Sequence, residues 1–92
     1  MTPLYIKRVP ADPHNHNIIR VERQKTIHWE YNGYSPDGRF TGTYHDDFID
    51  TIIASGSWNG IGSKWFTIDK SEWDEAVLLT TMETHLNQKE TI

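Results

Sequence analysis

Histidine and aspartate side chains that could ligate a metal ion stand close together at two places in the sequence. His14 and His16 lie in "DPHNHN" at 12–17, and His45 opens "HDDF" at 45–48. Imidazole and carboxylate ligands suit Zn²⁺ or Mn²⁺. A two-residue spacing in a proline-containing polar turn is not a dedicated ligand signature, however. A metal-dependent enzyme or sensor using His14, His16 and His45 is therefore the least favoured of three hypotheses, and we expect no metal or other cofactor.

Other catalytic patterns are incomplete. The glycine-rich "GSWNGIGSK" at 56–64 contains a lysine, but a phosphate-binding loop requires Gly-Lys-Ser/Thr five residues after the first glycine and then a helix. Ile61 occupies that position, and Trp65 follows the lysine. The chain has no cysteine, and no Ser-His-Asp arrangement has a recognisable context. The sequence therefore predicts a protein without enzymatic activity.

Cations and aromatic residues fall together on the strands predicted for the first half of the chain. Stacked rings and neutralising cations are how sheets bind single-stranded nucleic acids. Two observations weigh against this interpretation. Alternating cations also keep an exposed strand soluble, and the whole chain carries a net charge of −4, whereas a binder of the negative phosphate backbone needs clustered cations. A single-stranded nucleic-acid binder is the second hypothesis. Its contact residues would be Lys7, Arg20, Arg23, Lys25, Arg39 and Tyr31.

The charge of the chain is unevenly distributed. Residues 1–46 hold six lysines and arginines against five acids, whereas residues 47–92 hold three against eight. An acidic half is complementary to a basic surface and accelerates docking on it. The favoured hypothesis is therefore a small acidic protein-binding module that occludes a basic site on a larger host protein or nucleoprotein. Its contact residues would be Asp46, Asp47, Asp50, Trp58, Glu72, Asp74, Glu75 and Tyr34.

The general character of the chain is short, acidic, cysteine-free and aromatic-rich. In this respect it resembles the stand-alone accessory and anti-defence inhibitor proteins that phages and mobile elements direct against host machinery. The resemblance implies an inhibitor that binds a host protein or nucleic-acid-binding complex. No apolar run approaches the ~18 residues of a membrane span, so we expect a cytoplasmic protein that does not enter the membrane. Its oligomeric state is left open, with a homodimer as one alternative.

The candidate contact and ligand residues must be positioned by a small α+β fold, which we expect to be a single domain over residues 1–92. The sequence predicts an antiparallel sheet of about four to five strands with two helices, about 44–55 and 72–88, packed on one face. Period-2 alternation indicates strands at 4–9, within 15–31 as a hairpin, at 39–44 and at 64–68. Turns are expected at Asn32-Gly33 and Pro36-Asp37-Gly38, and a flexible loop at 56–63.

Helical periodicity replaces this alternation in the second half. Apolar residues at 48, 49, 52 and 53 predict the first helix, with Thr43 as its N-cap and Gly56 as the C′ residue that follows it. A strand through "TIIA" at 51–54 is the alternative interpretation. Apolar residues recurring every three or four positions from Trp73 predict the second helix, which begins near Ser71, and the last residues are expected to fray. Large rings should fill the core, namely Trp29, Phe40, Trp65, Phe66 and Trp73.

Overall fold

The computed structural model of the protein describes the backbone of residues 3–90 and the side chains of residues 3–83. Six strands and two helices make up this part of the chain, which confirms the α+β class. In chain order they are β1 (Leu4–Val9), β2 (Ile18–Arg23), β3 (Glu30–Tyr34), β4 (Phe40–His45), α1 (Asp46–Ser55), β5 (Ser57–Gly60), β6 (Ser63–Ile68) and α2 (Lys70–Glu90).

The strands form one curled antiparallel sheet in the order β4-β3-β2-β1-β6-β5. The expected number of four to five strands was slightly too low, because the segment predicted as a flexible loop forms β5. Ser57–Gly60 pairs with β6 across a two-residue turn at Ile61 and Gly62. Gly62 adopts a φ of 78°, a conformation that glycine reaches without steric cost. This turn converts the glycine-rich segment into a hairpin.

Helix α1 links the two edge strands, since it follows β4 directly and leads into β5. Its N-cap is His45 rather than the expected Thr43, and the imidazole Nδ1 accepts the N–H of Asp47 at 3.1 Å. The helix ends as predicted at Gly56, which has a φ of 81° and donates its N–H to the carbonyl of Ile52 at 2.7 Å. The predicted span 44–55 is therefore correct to within two residues.

The hydrophobic core lies between α1 and the sheet. Ile49 and Ile52 of the helix are fully buried against apolar side chains of the central strands. Trp65 belongs to this cluster and Trp73 is also buried, as predicted, but Trp29 and Phe40 are more than half exposed. Trp29 lies in the connection before β3 and Phe40 begins an edge strand, so neither ring has a layer above it. The cluster consists of Ile6, Ile19, Val21, Tyr31, Ile49, Ile52 and Trp65.

The two helices contact opposite faces of the sheet. Successive side chains of a strand point to opposite faces, and Ile6 of β1 lies in the core beneath α1. Its neighbours point the other way: the ring of Tyr5 stacks on Trp73 of α2 at 5.2 Å, and Lys7 Nζ lies 3.0 Å from Glu72 Oε2. The expectation that both helices share one face therefore fails, because the central strand β1 carries packing residues on both of its faces.

Helix α2 confirms the second predicted helix and begins two residues before the predicted span 72–88. Asp69 precedes it, and its carboxylate accepts the N–H of Glu72 at 2.9 Å and the hydroxyl of Ser71 at 2.7 Å. These donors hold the pKa of Asp69 below its ordinary value. The helix continues to Glu90, so four of the residues expected to fray are helical, whereas residues 91–92 lie outside the described part. Within that part, no helix is long and apolar enough to cross a membrane.

Candidate protein interface

An aromatic residue and three acids meet where the β2–β3 connection touches the start of α1. The N–H of Asp46 donates to the carbonyl oxygen of Trp29 at 2.9 Å. Glu30, the next residue, is the ladder partner of His45. Because Asp47 follows in the first turn of α1, five residues from two chain segments converge at this point. We call this surface the acidic junction, defined by Trp29, Glu30, His45, Asp46 and Asp47.

The acidic junction is accessible to a partner. Trp29 is 57% exposed, and the side chain of Asp47 is 91% exposed. The two aspartates lie 3.0 and 3.5 Å from Nδ1 of His45, and no lysine or arginine of the described residues pairs with them. Their negative charge is therefore not compensated by a permanent cation. The surface thus combines the apolar area of an exposed indole with the negative field of uncompensated carboxylates.

The same histidine and aspartates form the one group of described residues whose ligand atoms could converge on a metal ion. Their ligand atoms lie within 4.8 Å of one another, but His45 already caps the helix and acids are favoured in a first turn by the helix dipole. Capping and the dipole explain the group without a metal. His14 and His16 belong to no such group among the described residues, so the predicted trio is not assembled.

The remaining acids predicted for partner binding are divided between the two helices. Asp50 accepts the hydroxyl of Tyr31 at 3.1 Å and lies 3.7 Å from Arg23. On α2, Glu72 pairs with Lys7, Asp74 pairs with Lys70, and Glu75 has no ion pair among the described residues. Because α1 and α2 contact opposite faces of the sheet, the predicted acids do not share one continuous surface. Only Asp46 and Asp47 of this set belong to the acidic junction.

The two aromatic residues proposed as partner contacts are packed within the fold. The ring of Trp58 meets Phe48 edge-on at 5.1 Å and lies directly over Gly60. Tyr34 has the guanidinium of Arg20 over its ring at 4.7 Å and the ring of Phe40 against its edge at 5.9 Å. Each ring is only partly exposed, so neither offers the free apolar area that Trp29 offers.

Most residues predicted for nucleic-acid binding have intramolecular partners. Tyr31 is fully buried, and burial raises the pKa of its hydroxyl, with the hydrogen bond to Asp50 adding to the rise. Lys25 alone among the predicted cations has no ion pair or ring contact in the described part of the chain. The paired cations are Lys7 with Glu72, Arg20 with Glu22 and Tyr34, Arg23 with Asp50 and Tyr31, and Arg39 with Asp37.

Trp29 is the residue that sequence reasoning misplaced. It continues a period-2 pattern with Ile27 and Tyr31, which predicts a buried strand position, and nothing in that pattern marks the strand as beginning only at Glu30. Comparisons with protein-family models, curated proteins and solved structures gave no match. The function of the chain is therefore argued from this surface alone.

Proposed function

We propose that the chain is a protein-binding module that docks its acidic junction on a basic surface of a larger protein and thereby occludes that surface. The observation that carries the proposal is the exposed indole of Trp29, hydrogen-bonded through its backbone to the first residue of an acidic helix terminus. Binding energy at protein interfaces concentrates in such aromatic anchors, and charge complementarity steers the encounter. This mode of action needs no catalytic group.

The contribution of Trp29 to the free energy of binding can be worked out from its exposed area. A large ring contributes about 150–250 Å² when fully buried. With 57% of Trp29 available to a partner, the apolar gain at ~25 cal/mol per Å² is about 2.1–3.6 kcal/mol. That free energy corresponds to roughly 30–400-fold in Kd. Removing the ring should therefore be the most damaging single truncation at this surface.

The proposal is tested by capturing partners from a host extract, purifying the protein that is captured, and titrating it with variants by calorimetry. Trp29→Ala should weaken binding by the factor above. Phe40→Ala is the matched control, because Phe40 is 58% exposed and begins β4 at the end of the β3–β4 ladder remote from the junction. It should bind like the wild type.

A second pair of variants tests the charge. Asp47→Asn should weaken binding and reduce its salt dependence, because the carboxylate is screened by added ions. Asp74→Asn removes the same charge from α2, on the other face of the sheet, and should change neither property. If Trp29→Ala and Phe40→Ala weaken binding equally, or if Asp74→Asn matches Asp47→Asn, the acidic junction is not the interface.

A further inference from the structure

Helix α2 leaves an apolar surface uncovered. Leu78, Leu79 and Met82 are each more than half exposed. The contacts that hold the helix on the sheet come from its first turns, where Trp73 stacks on Tyr5. An apolar surface of this kind, rimmed by charged residues, is typical of a site for another protein.

A groove runs beside this helix. Lys7 and Ile18 of the sheet form one side, and Glu72, Glu75, Ala76 and Leu79 of α2 form the other, enclosing about 530 Å³. Glu83 lies four residues after Leu79 on the same helix face, so it extends the α2 side of the groove by one turn. Leu78 lies about 100° around the helix from Leu79 and does not line the groove.

The charge around the groove selects its occupant. Glu75 and Glu83 have no ion pair among the described residues, and the one cation on the sheet side, Lys7, is already paired with Glu72. A second copy of this chain would place acids against acids. A segment with lysines or arginines beside its apolar residues would instead neutralise them.

We propose that this groove binds a basic amphipathic helix of another protein. The apolar residues of that helix, spaced at i, i+3 or i+4, and i+7, pack against Ile18, Ala76 and Leu79. Its flanking lysines or arginines reach Glu75 and Glu83. The site is independent of the acidic junction, because α2 and α1 contact opposite faces of the sheet. An experiment that disproves binding at one of these two surfaces therefore leaves the proposal for the other surface standing.

The test titrates the full chain with a synthetic Leu/Lys peptide of about four helical turns and follows amide chemical shifts by NMR. Leu79→Asp should weaken binding at least about tenfold, although it adds a negative charge that by itself would attract the peptide. Leu78→Asp is the matched control, since Leu78 is 59% and Leu79 53% exposed. It should bind within about twofold of the wild type, because it carries the same added charge outside the groove. Circular dichroism checks the fold, and Leu79→Ser replaces Leu79→Asp if that variant unfolds.

Three outcomes would overturn the proposal. Equal weakening by Leu78→Asp and Leu79→Asp would show that the groove does not select the peptide. Equal binding of a Leu/Glu peptide would remove the charge argument. Sedimentation of the wild type as a dimer that dissociates in Leu79→Asp would assign the groove to a second copy of the chain.

Discussion

Gly33 of β3 allows the ring of Tyr44 to pack directly on the backbone of the neighbouring strand. A Cβ atom built on Gly33 would overlap Cε2 of Tyr44 and lie 2.7 Å from Oγ1 of Thr41. That hydroxyl is itself hydrogen-bonded to the Tyr44 hydroxyl at 3.1 Å. The added methyl therefore cannot be accommodated without moving a ring that packs against the core.

We expect Gly33→Ala to lower the free energy of unfolding by about 1–2 kcal/mol. Overpacking costs ~1–3 kcal/mol, from which we subtract the ~0.5–1 kcal/mol that alanine gains over glycine inside a strand. In a Tyr44→Ala background the ring is absent and the Thr41 hydroxyl, released from its hydrogen bond to Tyr44, can rotate away from the added methyl, so Gly33→Ala should become neutral or slightly stabilising. The two substitutions should therefore be non-additive by about 1–2 kcal/mol in a double-mutant cycle.

Urea unfolding of the four proteins measures this coupling, provided that the m-value stays constant. Gly42→Ala is the matched control, because Gly42 is the ladder partner of Gly33 but an added Cβ meets nothing within 4 Å. Its cost comes from a φ of 138° and should be the same with or without the Tyr44 ring. If Gly33→Ala costs the same in both backgrounds, the ring does not depend on this glycine.

Three further predictions concern single side chains. Because the pKa of Asp69 is lowered in the folded state, its charged form stabilises the fold at neutral pH, and this contribution is lost as the pH falls through the folded-state pKa. The difference in the free energy of unfolding between wild type and Asp69→Asn should therefore shrink in unfolding curves measured in acid. Tyr31→Phe removes the hydrogen bonds that the hydroxyl donates to Asp50 and accepts from Arg23, and should cost about 1–2 kcal/mol in urea unfolding. In an Asp50→Ala background the cost should be smaller, because only the bond from Arg23 is then lost. Trp58→Ala should lower Tm by more than Trp29→Ala does, because only Trp58 packs on the core, and equal shifts would contradict this.

The parts of the fold that were predictable from sequence are those where local signals agree with tertiary packing. Helix α1 combines a four-residue apolar stripe with a C-terminal glycine, and both act within the helix itself. The Asn32-Gly33 pair was expected to be a turn, yet it lies inside β3. There the absence of a side chain at Gly33 makes room for the ring of Tyr44 on the neighbouring strand. The sequence around Gly33 does not indicate which strand will pair with it. Element existence was therefore easier to predict than the role of a particular glycine.

The candidate site was predictable only in its charged part. Asp46 and Asp47 follow from the acidic second half and the start of α1. Trp29 does not, because its period-2 pattern with Ile27 and Tyr31 is the same whether the strand begins at residue 27 or at residue 30. The sequence left the exposure of Trp58 open for the related reason that a glycine-rich segment can either remain a loop or fold into a hairpin. Whether a ring is covered depends on which strands pair, and pairing is a long-range property.

Because β1 precedes every other described strand and occupies the middle of the sheet, the growing chain carries an unfinished sheet until β6 has been synthesised. The partner of one edge of β1 is complete at residue 23, where β2 ends, but the partner of the opposite edge is β6, which ends only at Ile68. During that interval the edge presents unpaired N–H and C=O groups, which are templates for strands of other chains. The time for which the nascent protein is exposed to aggregation at this edge therefore depends on how soon the β5–β6 hairpin pairs with β1.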